Sequence, residues 1–186
     1  MTKEALKYPA LFLFIVFTIF IHYIAKSPNL SEPELASSGN QTVSSDVGKI
    51  APDFRMENLS GGQMSIAEFT GKKSVILYFW SCSIPLCDES LSELEEFYNK
   101  NSEKVEILAV NVGDLRFELE KFLKNKNYKI NILFDSNGMG TLSYEITEPT
   151  LILIDKNNTI TYIYKQNKKD ERLKNILEEV ILPLLK

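Results

Sequence analysis

The apolar positions of this chain fall into three regimes. From Tyr8 to Ala25 they run almost without interruption, apolar on every face, broken only by Thr18 and His22. As a helix these 18 residues reach roughly 27 Å, close to the ~30 Å hydrocarbon core of a bilayer. Residues 27–47, SPNLSEPELASSGNQTVSSDV, then lose nearly all large apolar side chains and read as a flexible tether. From Gly48 onward, short apolar runs alternate with amphipathic stretches. The chain is therefore divided into an anchor at 1–26, a linker at 27–47 and a globular domain at 48–186.

Within that domain the pattern predicts an ordered series of elements. Asp53 to Leu59 reads as an edge strand or extended segment, followed by a Gly61-Gly62 turn. SVILYF at 74–79 is continuously apolar, as a strand buried on both faces should be. A helix is expected from Pro85 to about Lys100, with Cys87, Leu91, Leu94 and Tyr98 along one stripe. VEILAVN at 105–111 is a second strand, and Asp114 is expected to cap the helix after it. Ile130–Phe134 reads as a short extended piece and Gly138–Tyr144 as a short helix. Thr150–Asp155 and Thr159–Tyr164 read as an antiparallel pair, and Asp170 as the opening of a last helix. Strand–helix alternation followed by a hairpin implies an α/β fold with a mixed central sheet and helices on both faces.

Composition narrows the chemistry. The net charge of −4 and scattered lysines give no electrostatic footprint for nucleic acid. The one histidine, His22, lies in the apolar N-terminal run, which argues against a zinc site or a Cys/His hydrolase. The two cysteines, Cys82 and Cys87, both fall where the first buried strand turns into the first long helix. Helix N-termini stabilise thiolates, so this is a place where a thiol gains reactivity. Their spacing is Cys-x4-Cys rather than the Cys-x-x-Cys of a usual redox pair.

Several short motifs occur in a telling order. Gly48-Lys49-Ile50-Ala51-Pro52-Asp53-Phe54 comes first, then Phe69-Thr70-Gly71-Lys72, then Val75 through Trp80. Ala109-Val110-Asn111-Val112 and Glu148-Pro149-Thr150, with Leu153-Ile154-Asp155 behind, complete the series. In this order they resemble the thioredoxin superfamily, and within it the membrane-tethered TlpA/ResA-type thiol-disulfide oxidoreductases, over about Val47 to Lys186. The resemblance implies a thioredoxin-like fold, no metal or organic cofactor, and a cis-proline at Pro149 facing the thiols. It also implies an extended substrate segment pairing beside Glu148, Pro149 and Thr150, with Trp80 as either a lid on the site or a core aromatic.

The active-site motif departs from that family. Where relatives read F-W-A-x-W-C-x-x-C, this chain reads Phe79-Trp80-Ser81-Cys82-Ser83-Ile84-Pro85-Leu86-Cys87. Cys87 matches the resolving cysteine, Ile84 stands where the nucleophile belongs, and Cys82 lies two residues upstream. Tyr78 replaces the buried polar residue that relatives place near the resolving thiol. Three readings stay open. In the first, Cys82 attacks and Cys87 resolves in thiol-disulfide exchange with protein substrates; the same pair closed permanently would be a structural disulfide. In the second, a redox-inactive domain captures extended peptides, with Asp88, Glu89 and Glu148 opposing thiolate formation. In the third, Cys87 alone acts as a peroxidase, although that family's Pro and Thr are replaced by Trp80 and Ile84.

Lys3 and Lys7 precede the apolar run and place the N-terminus inside, with Lys26 on the far side. Ile24-Ala25-Lys26-Ser27 is a poor cleavage site and no cysteine follows for lipidation, so an uncleaved single-pass anchor is expected. The domain, its protein substrates and its redox partner then lie outside the cytoplasm.

Overall fold

The computed structural model describes residues 46–166 and 172–185. The expected anchor, the tether up to residue 45, and Asp170 lie outside them. No helix among the described residues is long and apolar enough to cross a membrane.

Seven strands form one sheet in the order β2-β1-β5-β4-β3-β6-β7. They are β1 (Met56–Asn58), β2 (Gln63–Met64), β3 (Ser74–Trp80), β4 (Val105–Asn111), β5 (Asn131–Phe134), β6 (Thr150–Ile154) and β7 (Ile160–Lys165). The helices are α1 (Cys87–Asn101), α2 (Arg116–Leu123) and α3 (Met139–Ser143). A last helix, α4, passes from Leu173–Asn175 through a π-helical stretch, Ile176–Ile181, to Leu182–Leu184. β3, β4 and β5 are parallel, as crossover helices require, whereas β1, β6 and β7 join antiparallel. The mixed sheet expected from the element order is what the chain forms.

The central strands are buried along their whole length because both faces are covered. Ile76, Tyr78 and Trp80 point to one face, where Leu91, Leu94 and Phe97 of α1, Leu119 of α2, and Leu173, Leu177 and Ile181 of α4 pack. Val75, Leu77 and Phe79 point to the other, against Phe54, Met56, Ile66 and Tyr144. Here α3 approaches β1 closely, and a Cβ on Gly140 would meet the terminal methyl of Met56, which would have to move aside.

Three boundaries differ from the sequence expectation. The edge strand shortens to Met56–Asn58, because Asp53 turns its Oδ1 to accept from the Ile66 and Ala67 N–H groups. α1 begins at Cys87 and not at Pro85: Leu86 adopts a left-handed conformation (φ 69°) that interrupts any helix before it. Asp114 does not cap α2. Leu115 occupies the N-cap position, and the Asp114 carboxylate is engaged elsewhere.

Candidate active site

Sheet register brings the relevant loops together. Trp80 ends β3 directly opposite Asn111 at the end of β4, and the Val112 N–H donates to the Trp80 carbonyl at 2.8 Å. On the other side Phe79 faces Thr150, the first residue of β6. The Ser81–Leu86 turn therefore lies between the β4–α2 loop and the Thr147–Pro149 segment, at the carboxyl end of the parallel strands. Open α/β sheets form their sites at that end.

The two thiols sit at the ends of this turn, both free and half-buried. Cys87 is the first residue of α1, and its Sγ donates to the Cys82 carbonyl at 3.5 Å. The turn is closed by Ile84 N–H to Ser81 O at 3.2 Å and Cys87 N–H to Ile84 O at 3.3 Å. Leu86, exposed and left-handed, is the residue that aims Cys87 back toward Cys82.

Asp114 is the functional-site residue that sequence reasoning missed. It is only 8% exposed, yet no cation partners it among the described residues. Its Oδ2 accepts from the Cys82 N–H at 2.6 Å and from Asn111 Nδ2 at 2.7 Å. Its Oδ1 accepts from the hydroxyls of Ser81 at 2.8 Å and Ser83 at 3.2 Å. Burial pushes its carboxyl up, but the donors from Asn111, the Cys82 backbone and Ser81 outweigh burial and hold it below the usual carboxylate range. The signal was present as Ser-x-Ser around Cys82 and Asn111-x-x-Asp114. It was unreadable until the register placed the two loops side by side.

The thiols differ in their surroundings. Burial, then a hydrogen bond to Asp114 and its negative charge, push the Cys82 thiol up to about 12. Burial also raises Cys87, but there the Asp88 N–H and the charge of Lys126 act in the opposite direction. Asp88 itself is tied to Lys126 and to the Tyr128 hydroxyl. Cys87 thus has thiolate-favouring neighbours that Cys82 lacks.

The remaining predicted residues separate into two groups. Glu148 and Pro149 line a groove of about 650 Å³ with Ser83, Ile84, Pro85, Leu86, Thr147 and Gln166. Trp80 is 1% exposed and packs on Phe122, so it is a core aromatic and not a lid. Thr150 is 2% exposed and its hydroxyl donates to the Glu148 carbonyl. Neither side chain presents itself to a substrate in this structure. No cis peptide bond occurs among the described residues, so Glu148–Pro149 is trans, against the expectation from resemblance. Trans is the lower-energy isomer of an X-Pro bond, and here the Pro149 carbonyl still accepts from the Gln166 N–H at 2.8 Å. Tyr78, at the position where relatives carry a polar group, donates its hydroxyl to Gln166 Oε1 at 2.8 Å.

A thioredoxin-like sheet with two thiols at its first strand-to-helix turn defines a redoxin-class protein. The chain belongs to the AhpC/TSA family, whose pattern matches residues 47–163. It is 32% identical to the thiol-disulfide oxidoreductase ResA of Geobacillus thermodenitrificans over 72% of this chain and 78% of that protein. ResA of Halalkalibacterium halodurans is 25% identical and matches 96% of this chain and 97% of its own length. Among solved structures, a candidate thiol:disulfide interchange protein DsbE from Chlorobium tepidum superposes with a TM-score of 0.67. It is 27% identical and matches 76% of this chain and 99% of that one. Reduced 2-Cys peroxiredoxin of Plasmodium vivax shares the fold, with a TM-score of 0.64 at 23% identity over 74% of this chain and 96% of that one.

Proposed function

We propose that this protein is a membrane-tethered, extracytoplasmic thiol-disulfide oxidoreductase that acts through the Cys82/Cys87 pair on exported proteins. The observation that carries the reading is the return of the Cys87 thiol to the Cys82 backbone across one turn, its sulfur 3.5 Å from the Cys82 carbonyl. A five-residue separation normally spreads two side chains along a helix. Here the left-handed Leu86 delays the helix and returns Cys87 toward Cys82. The groove lined by Ile84, Leu86 and Pro149 supports an extended, partly apolar polypeptide as substrate. Similarity to ResA proteins, including one matched over nearly the whole chain, supports both the exchange chemistry and the N-terminal anchor. No metal or organic cofactor enters the proposed reaction, since electrons pass between sulfur atoms.

A second reading is favoured by one specific observation: both thiols are held toward their neutral form. A domain with such thiols and an adjacent groove would serve as a binding module for extended peptides, without turnover.

Maleimide labelling of the protein across a glutathione redox series separates the two. Exchange catalysis predicts a pair that closes and opens between roughly −120 and −270 mV. A bond that opens only below about −300 mV would mean a structural staple. Thiols that never pair would overturn the oxidoreductase reading in favour of the binding module.

A further inference from the structure

We propose that Asp114 is the proton acceptor for Cys82, the base that turns this thiol into a nucleophile at the moment of exchange. The inference rests on the reading of Cys82 as a reacting thiol. α2 begins two residues after Asp114 without using it as a cap, and Lys126 is committed to Asp88 and the Phe122 ring. Instead, two elements converge on it: the Ser81–Ser83 turn, through two hydroxyls and the Cys82 N–H, and the end of β4 through Asn111. Asn111 directs its Nδ2 at the carboxylate while its buried Oδ1 has no hydrogen-bond partner among the described residues. That amide is oriented toward the carboxylate at a cost, as expected of a group that positions it.

The donors are all neutral, so the carboxylate keeps its charge, and the bond from the Cys82 N–H at 2.6 Å holds it beside that residue. The pair has two arrangements of equal net charge, thiol with carboxylate and thiolate with carboxylic acid. The first is the resting one. On approach of a protein disulfide, the Cys82 proton moves to an Asp114 oxygen, and the freed sulfur pair attacks one substrate sulfur. A new Cys82–substrate disulfide forms as the old S–S bond breaks. Its electrons leave on the departing thiolate, which regains a proton from Asp114 or solvent. The same transfer serves if Cys82 instead attacks a mixed disulfide on Cys87. Atoms, electrons and protons balance without any further reactant.

The other titratable groups bearing on the pair enter from α1 and from the loop after α2. Cys87 adds a small negative influence on Cys82, and Asp88 and Lys126 act on Cys87 with opposite signs.

The test is the pH dependence of thiol-disulfide exchange at Cys82 alone, in the full-length Cys87→Ser chain with 4,4′-dithiodipyridine as the disulfide. A proton held between two groups gives a rate that levels off once Asp114 ionises and stays flat until the thiol itself titrates. Asp114→Asn removes that plateau, so its rate falls tenfold per pH unit. At about pH 5 it should be at least about tenfold slower, although loss of the negative charge makes its thiol more acidic. If both chains instead follow simple thiolate titration, and the Asp114→Asn chain is faster at every pH, the carboxylate is only a burden on the thiol and the proposal fails. Should Asp114→Asn not fold, Asn111→Ala gives an independent readout. Losing the Nδ2 donor raises the Asp114 carboxyl and moves the acid edge of the plateau upward, whereas an unmoved edge overturns the proposal. Insulin reduction by a Cys82→Ser chain tests the underlying reading separately: full activity there removes Cys82 from catalysis whatever its pH profile.

Discussion

Strand β4 carries a buried carboxylate near each end, and the two have opposite company. Glu106, at the start, accepts from Lys73 Nζ at 3.4 Å, Asn131 Nδ2 at 2.8 Å and the Tyr98 hydroxyl at 3.0 Å. Its charge is answered by a cation, and the cluster ties β3, α1 and β5 together. Asp114, just past the far end, is surrounded by hydroxyls, an amide, a backbone N–H and a thiol. A carboxylate with a countercharge is a fastening. One stabilised by neutral dipoles against a thiol keeps a use for its basicity. Burial alone distinguishes nothing here, since both are almost fully covered.

The sharpest way to break this contrast is through activity. Cys82→Ser and Cys87→Ser should each abolish insulin reduction, while Glu106→Gln should leave it intact. A Glu106→Gln chain as inactive as either cysteine variant would erase the distinction between the two ends of β4. Stability comes next. Glu106→Ala strands the Asn131 amide and the Tyr98 hydroxyl and should cost about 2–3 kcal/mol in urea unfolding. Asp114→Asn keeps an oxygen acceptor among its donors and should cost only about 1 kcal/mol. The reverse order would make Asp114 the fastening and Glu106 the spare group.

A smaller effect is expected at Leu86. A left-handed conformation costs a non-glycine residue about 1–2 kcal/mol, so Leu86→Gly should raise stability by about 1 kcal/mol after the extra chain entropy of glycine. The same change strips one wall of the groove. A chain that is both more stable and slower with peptide substrates would locate the strain in function, whereas unchanged stability would mean Leu86 is not strained.

The least effect is on alkaline stability. Cys82 has a folded value near 12, above its ordinary 9.0. The sign follows: its contribution is complete below about pH 9 and is lost as pH rises toward 12, because the unfolded chain ionises first. Tyr78, Tyr98 and Tyr128 are raised into the same range, so the measurable quantity is the difference between the parent chain and Cys82→Ser. The parent chain should lose stability more steeply over that window. Parallel curves would mean that neither burial nor Asp114 raises the thiol.

How much of this could be read from residue order follows from the distances involved. Val75–Phe79 and Ile107–Val110 announce themselves because strands buried on both faces need unbroken apolar runs. The mixed sheet follows from helix-length crossovers and one tight hairpin. The thiols are legible for the same reason, as both lie on one local turn. The carboxylate is not, because its role depends on β3 and β4 pairing in register, which sets Asn111 against Trp80. Asp114 before Leu115 also carries the local signature of a helix cap, and that signal won until its side chain was seen to face Cys82. The trans Glu148–Pro149 bond and the left-handed Leu86 are backbone states that side-chain identity did not announce.

The sheet order has a consequence for how such a chain comes into being. The thiol–carboxylate cluster is built wholly from residues between Ser74 and Asp114, within one strand–helix–strand unit. The groove beside it needs Thr147–Pro149 and Gln166, and β6 joins β3 only across a long loop in sequence. Local contacts form before distant ones, so a chain emerging from its N-terminus acquires its reactive thiols ahead of the surface that selects a partner. If the turn and β4 are already packed in that interval, burial and Asp114 hold the Cys82 thiol in its protonated, less reactive form before the groove exists.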